Sequence, residues 1–108
     1  MEHTALLYFV GPAGAGKSTL VATLQEWMQH QRYDGVTINL DPGAETVPYQ
    51  AAIDVRERFT LSEIMEEYSL GPNGAQVVCA DLLAVELDWI RGHIEDINCD
   101  YFLVDTPG

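Results

Sequence analysis

The chain has 108 residues, 47% of them hydrophobic, which is enough for one small domain with its own core. Seventeen acidic residues against five basic ones give a formal net charge of −12, which argues against nucleic acid and anionic membrane surfaces as partners. Cys79 and Cys99 lack C-x-x-C spacing, no apolar stretch approaches a membrane span, and the N-terminus has no basic, signal-like start, so a reduced cytoplasmic setting is expected. An acidic surface with a single lysine suits a high-salt cytoplasm, or serves solubility alone.

Ala5-Leu6-Leu7-Tyr8-Phe9-Val10 is a continuous apolar run, as expected of a strand buried on both faces. Gly11-Pro12-Ala13-Gly14-Ala15-Gly16-Lys17-Ser18 follows and fits G-x-x-x-x-G-K-[ST], the Walker A pattern. Glycines let several backbone N–H groups turn towards one anion, and the following helix adds the positive end of its dipole. Lys17, the only lysine, is placed to reach the β/γ-phosphates, and Ser18 offers a hydroxyl to Mg²⁺. Gly11, Ala13, Gly14, Ala15, Gly16, Lys17, Ser18 and Thr19 are therefore the candidate phosphate-binding residues. Leu20, Leu24 and Trp27, with Val21 and Met28 alongside, give the helix its apolar side.

Arg32-Tyr33-Asp34-Gly35 reads as a helix stop and turn, and Val36-Thr37-Ile38-Asn39-Leu40 as a second strand, parallel to the first through a right-handed crossover. Asp41, at its C-terminal end, is a carboxylate that could orient an attacking water or join the metal shell; as an acid before Pro42 it equally fits an Asx-type turn. Residues 44–59 read as an ordered loop. Thr60-Leu61-Ser62-Glu63 is a capping box for a short helix ending near Tyr68. Gly71-Pro72-Asn73-Gly74 is dense in turn formers, and Asp81 can cap a longer helix with one continuous face over Leu83, Leu87, Ile90, Ile94 and Ile97. Tyr101-Phe102-Leu103-Val104 is a third strand that delivers Asp105 to the sheet edge, the Walker B arrangement for a Mg²⁺-holding carboxylate. Asp105-Thr106-Pro107-Gly108 has the D-x-x-G form typical of GTPases, in which the glycine N–H (here Gly108) can sense the γ-phosphate. No tail or closing helix follows it, which predicts a fragment of a longer domain.

The expected fold is a three-layer α/β/α P-loop NTPase, with three parallel strands in the order 2-3-1 and helices on both faces. In order and spacing the chain resembles the N-terminal part of the GPN-loop GTPases, dimeric P-loop GTPases of archaea and eukaryotes. The resemblance rests on Gly11 to Thr19, Asn39-Leu40-Asp41, Pro48-Tyr49, Ile53-Asp54-Val55-Arg56-Glu57, Gly71-Pro72-Asn73-Gly74-Ala75 and Asp105 to Gly108. It implies Mg²⁺-dependent hydrolysis of GTP to GDP in a homodimer. Gly71, Pro72 and Asn73 would reach the partner's site, Asn73 acting in trans on the γ-phosphate or the attacking water. Asp41 would position that water, and Ser18 and Asp105 would serve the metal. It further allows a nucleotide-gated role in assembling multisubunit complexes such as RNA polymerase. The family's base-reading Asn-Lys-x-Asp element and the glutamine that usually follows the D-x-x-G glycine are missing from these residues. From the residues alone a P-loop ATPase or kinase, or a non-catalytic nucleotide-binding fragment, stays open. His3, His30 and His93 show no metal-ligand spacing, Trp27 and Trp89 read as core or interface packing, and Arg56 as part of a structural ion pair or a dimer contact.

Overall fold

The computed structural model describes residues 4–12 and 15–108. Strand β1 (Ala5–Phe9) leads into helix α1 (Lys17–His30), β2 (Gly35–Asn39) and a short β3 (Ile53–Asp54) that continues into a 3₁₀ turn over Val55–Glu57. Helices α2 (Leu61–Glu67), α3 (Pro72–Val85) and α4 (Leu87–Asp96) follow, and β4 (Tyr101–Asp105) closes the sheet. All pairings are parallel, in the order β1-β4-β2-β3. The expected order is present as β2-β4-β1. β3 is additional, lying in the stretch read as loop, where two paired residues are too few to register a strand period.

β4 is central, and Phe102, Leu103 and Val104 are almost wholly buried. Their alternation joins two cores. Phe102 and Val104 pack with Ile38 and Ile53 beneath Trp89 and Ile94 of α4, whereas Leu103 faces Val21 and Met28 of α1. A third cluster, Val55, Phe59, Ile64, Ala75 and Cys79, seats α2 and α3 beside the sheet. Both cysteines are free and buried, and burial raises both thiols above their ordinary range.

Several local expectations are corrected. The inward face of α1 is Val21, Leu24 and Met28, while Leu20 and Trp27 are more than half exposed. β1 is covered on one face only: Leu7 and Phe9 meet the α1 side, but Leu6 and Tyr8 are 38% and 62% exposed. Among the described residues β1 pairs with β4 alone, so it is an edge strand. Gly71 to Gly74 is no free turn but the start of α3, with Pro72 at the first helical positions, where a missing N–H costs nothing. Asp81 therefore lies within α3 and caps nothing. The face from Leu83 to Ile97 is not continuous, because α3 ends at Val85 and α4 begins at Leu87. At that break Glu86 pairs with Arg58 at 2.9 Å, and the Arg58 guanidinium lies 5.3 Å from the Trp89 ring centroid. The Thr60 cap is as read, with Glu63 N–H donating to Thr60 Oγ1, but the Glu63 side chain accepts the Thr60 hydroxyl on Oε1 in place of the Thr60 N–H that a full capping box would use.

The loop between β2 and β3 passes along the C-terminal edge of the sheet and is pinned throughout. Asn39, fully buried, accepts Asp41 N–H on Oδ1 and donates from Nδ2 to Asp41 O and to Asp54 Oδ1. Asp54 takes a bidentate contact from Arg56, with Nη2 to Oδ2 at 2.7 Å and Nε to Oδ1 at 3.0 Å. The same guanidinium donates through Nη1 to the carbonyls of Ala44 and Glu45. Arg56 thus clamps the middle of the loop and realises the structural ion pair expected of it. Burial opposes ionisation of Asp54, but the donors on Arg56 and Asn39 outweigh it and hold the carboxyl below its usual value.

Two expectations follow for stability. Gly35 opens β2 at ordinary φ, and its constraint is space: an added Cβ would lie 2.9 Å from the Sδ of buried Met28. Gly35→Ala should cost about 1–2 kcal/mol in urea unfolding by overpacking, and Met28→Val, which removes the crowding sulfur, should recover part of it. Asp54→Asn should destabilise the fold at neutral pH by about 1–3 kcal/mol. Because the folded pKa of Asp54 is depressed, the stability it contributes is present above its unfolded pKa of about 3.9 and is lost as pH falls through the lower folded value. The difference between wild type and Asp54→Asn should therefore be flat from pH 7 to about pH 5 and shrink below pH 4, as read from unfolding curves over that range.

Candidate nucleotide and metal site

The site forms where β1 and β4 deliver the chain to one edge of the sheet. Register places Phe9, Asp105 and Asn39 side by side at the C-terminal ends of β1, β4 and β2. Helix α1 starts at Lys17 with Gly16 as its cap, at φ 79° and ψ 15°. That left-handed backbone favours glycine, and no side chain caps the helix or places an acid in its first turn. Its N-terminus thus presents N–H groups and a positive dipole end with no acid of the helix's own in the first turn. Ala13 and Gly14 lie outside the described residues; Ala15 N–H donates to the Pro12 carbonyl.

Asp105 is the convergence point. It is 1% exposed. Its Oδ2 accepts two hydroxyls, Ser18 Oγ and Tyr49 Oη, each at 2.7 Å. Its Oδ1 is buried, has no hydrogen-bond partner among the described residues and lies 3.6 Å from Lys17 Nζ. Lys17 also donates to the Thr106 carbonyl, and Thr106 Oγ1 donates to Phe9 O at 2.6 Å, which ties the segment after β4 back to β1. Burial, then the hydrogen bond to Asp105, raises the Tyr49 phenol, so it donates at any ordinary pH.

A cleft of about 340 Å³ opens beside this cluster, lined by Lys17, Ser18, Thr19, Asp41, Gly43 and Thr46 among others. Asp41 Oδ1 accepts Gly43 N–H at 2.9 Å, so the Asx-type turn is real, while the same residue also lines the cleft. Gly108 lies in an adjoining pocket of about 110 Å³ that shares Asp41 and Gly43. A larger cavity of about 830 Å³ is lined by the same loop together with Asp54, Arg56 and Glu57, and no described P-loop residue lines it. Lys17 and Ser18 of the Walker A pattern line the smaller cleft instead. Gly71, Pro72 and Asn73 are exposed at the start of α3 and do not line the cleft around Lys17 of their own chain.

The donor set fits a magnesium ion held together with a nucleotide. Among the described residues no three His, Cys, Asp or Glu side chains gather into an all-protein metal site. Instead one hydroxyl and one carboxylate with an unused buried oxygen are offered, and magnesium is commonly completed by phosphate oxygens and water. Sequence reasoning found Lys17, Ser18 and Asp105 but gave Tyr49, Thr46 and Thr106 no role at the site. The signal for Tyr49 was its place in the Pro48-Tyr49 element of the resemblance, too local to reveal a partner 56 positions away.

A family model described as a conserved hypothetical ATP binding protein matches residues 9–108. GPN-loop GTPase 3 of Eremothecium gossypii and that of Saccharomyces cerevisiae are each 43% identical over 99 residues, covering 92% of this chain and 36% of the relative. GPN-loop GTPase 2 of Xenopus tropicalis is 43% identical over 92% of this chain and 32% of its own length. The chain thus spans about a third of the curated relatives it matches. The apo crystal structure of a GTPase from Pyrococcus abyssi superposes with a TM-score of 0.87 at 39% identity, covering all of this chain and 43% of that one. A P-loop running into an uncapped helix, a Walker B carboxylate beneath it and this agreement over nearly every residue lead to one statement: the chain belongs to the GPN-loop GTPase family.

Proposed function

We propose that this chain carries the triphosphate- and magnesium-holding part of a GTPase that hydrolyses GTP to GDP and phosphate in a homodimer. The observation that carries the reading is the meeting of Lys17 and Ser18 at one buried carboxylate, Asp105, at the mouth of a cleft walled by Asp41. Lys17 and the α1 N-terminus would hold the β- and γ-phosphates. Ser18 and Asp105 would hold Mg²⁺, which when bound neutralises charge on the phosphate oxygens. Asp41 would orient the attacking water. The placement of Asn73 away from its own cleft favours action on a partner's site, where its amide would stabilise charge on the transferred phosphoryl group.

The Lys17 link to Thr106 couples the cleft to the D-x-x-G segment, and this supports a nucleotide-gated change of shape there. Resemblance alone supports a role in assembling multisubunit complexes such as RNA polymerase. The acidic charge and free, buried thiols favour a cytoplasmic setting without nucleic acid or membrane partners, and no described helix is long and apolar enough to cross a membrane. The relatives are named GTPases while the family model is described by ATP, so competition between the two nucleotides is the direct test of the base.

Lys17→Ala should weaken Mg·GTP binding about tenfold to a hundredfold by calorimetry, the loss of a charged hydrogen bond; unchanged affinity would sink the nucleotide reading. For the trans role, Lys17→Ala and Asn73→Ala homodimers should each hydrolyse slowly, Asn73→Ala by about 10²–10³-fold in kcat. Mixing the two proteins should restore activity, because each mixed dimer rebuilds one site with Lys17 from one protomer and Asn73 from the other. No recovery in dimers shown to have exchanged subunits would mean that Asn73 acts within its own chain or not at all.

A further inference from the structure

We infer that Tyr49 is a positioning residue for the metal: its hydroxyl holds the Asp105 carboxylate so that Oδ2 is spent on protein donors and Oδ1 stays free for the cation. This deepens the proposed nucleotide site and rests on it. Ser18 and Tyr49 both donate to Oδ2 at 2.7 Å, while Oδ1 is buried with no hydrogen-bond partner among the described residues. Two donors on one oxygen oppose rotation of the carboxylate, since a flip would break both bonds inside a buried pocket. The serine hydroxyl, having given its proton to Oδ2, keeps lone pairs for a cation. Ser18 and Oδ1 are thereby set as a pair of ligands by an outer hydroxyl that need not touch the metal.

Tyr49 is itself fixed at both ends. Its ring packs in the α1-side core with Val21 and Leu103. Just beyond it, Gln50 O accepts the Thr37 hydroxyl at 3.1 Å, and Ala52 N–H donates to Thr37 O at 2.9 Å. The phenol thus reaches Asp105 from a loop whose middle is clamped by Arg56 and whose Gly43, Ala44 and Thr46 wall the cleft. One hydrogen bond joins the wall of the cleft to the metal carboxylate.

Tyr49→Phe keeps the ring and removes only the oxygen. The test measures the affinity of a fluorescent, non-hydrolysable GTP analogue in excess Mg²⁺ and in EDTA, for wild type, Tyr49→Phe, Ser18→Ala and the double variant. In Tyr49→Phe the gain in affinity from Mg²⁺ should fall about tenfold, as for other groups that orient metal ligands, while affinity in EDTA stays within about twofold of wild type. The double variant should lose less than the two single losses combined, because both act through one oxygen. Wild-type Mg²⁺ gain in Tyr49→Phe, a loss equal in Mg²⁺ and EDTA, or additive losses would overturn the role of Tyr49 and leave the nucleotide site standing. A wild-type protein whose affinity gains nothing from Mg²⁺ would overturn both.

Discussion

A buried carboxylate cannot be left to itself, and the C-terminal edge of this sheet is arranged around that constraint. Asp105 ends the central strand, almost wholly out of solvent, where an ionised group is expensive unless donors surround it. Ser18 brings the start of α1 to it, Tyr49 brings the loop from β2, and Lys17 brings the compensating charge. Three segments distant in sequence are held together by what they owe one side chain. Among the described residues that compensation leaves one oxygen, Oδ1, without a donor and with only the Lys17 ammonium nearby.

The surroundings divide into parts that are over-determined and parts left open. The loop from Asp41 to Gln50 has little regular structure, yet it is held by Asn39 at its start, Arg56 at its middle and Tyr49 at its end. Planarity makes arginine suited to the middle position, since one guanidinium spans a carboxylate and two carbonyls at once. The first turn of α1, by contrast, carries neither a capping side chain nor an acid. Rigid walls around an unsatisfied helix end are the arrangement expected where binding energy is to be spent on an anion and not on ordering the protein.

Much of this was legible from local chemistry. The helix start at Lys17, the Thr60 cap and the apolar run ending in Asp105 each write their meaning within a few residues, and the structure has all three where the sequence puts them. What failed needed information from elsewhere in the chain. Gly-Pro-Asn-Gly suits a turn and a helix start equally well, and packing of Ala75 and Cys79 against Val55 and Phe59 decides for the helix. The apolar character of β1 expresses an appetite for cover on both faces, whereas the described residues supply a layer on the α1 side alone. Tyr49 and Asp105 meet across 56 positions, a distance at which spacing carries no signal.

Lys17 is the only lysine in the chain, and its side chain is 10% exposed between Asp105 and Thr106. The chain therefore has one ε-amine, and it sits inside the cleft. Amine-directed reagents thus meet a single side-chain target in this sequence, and it lines the cleft, so the reactivity of one atom reads how exposed that cleft is, undiluted by other lysines.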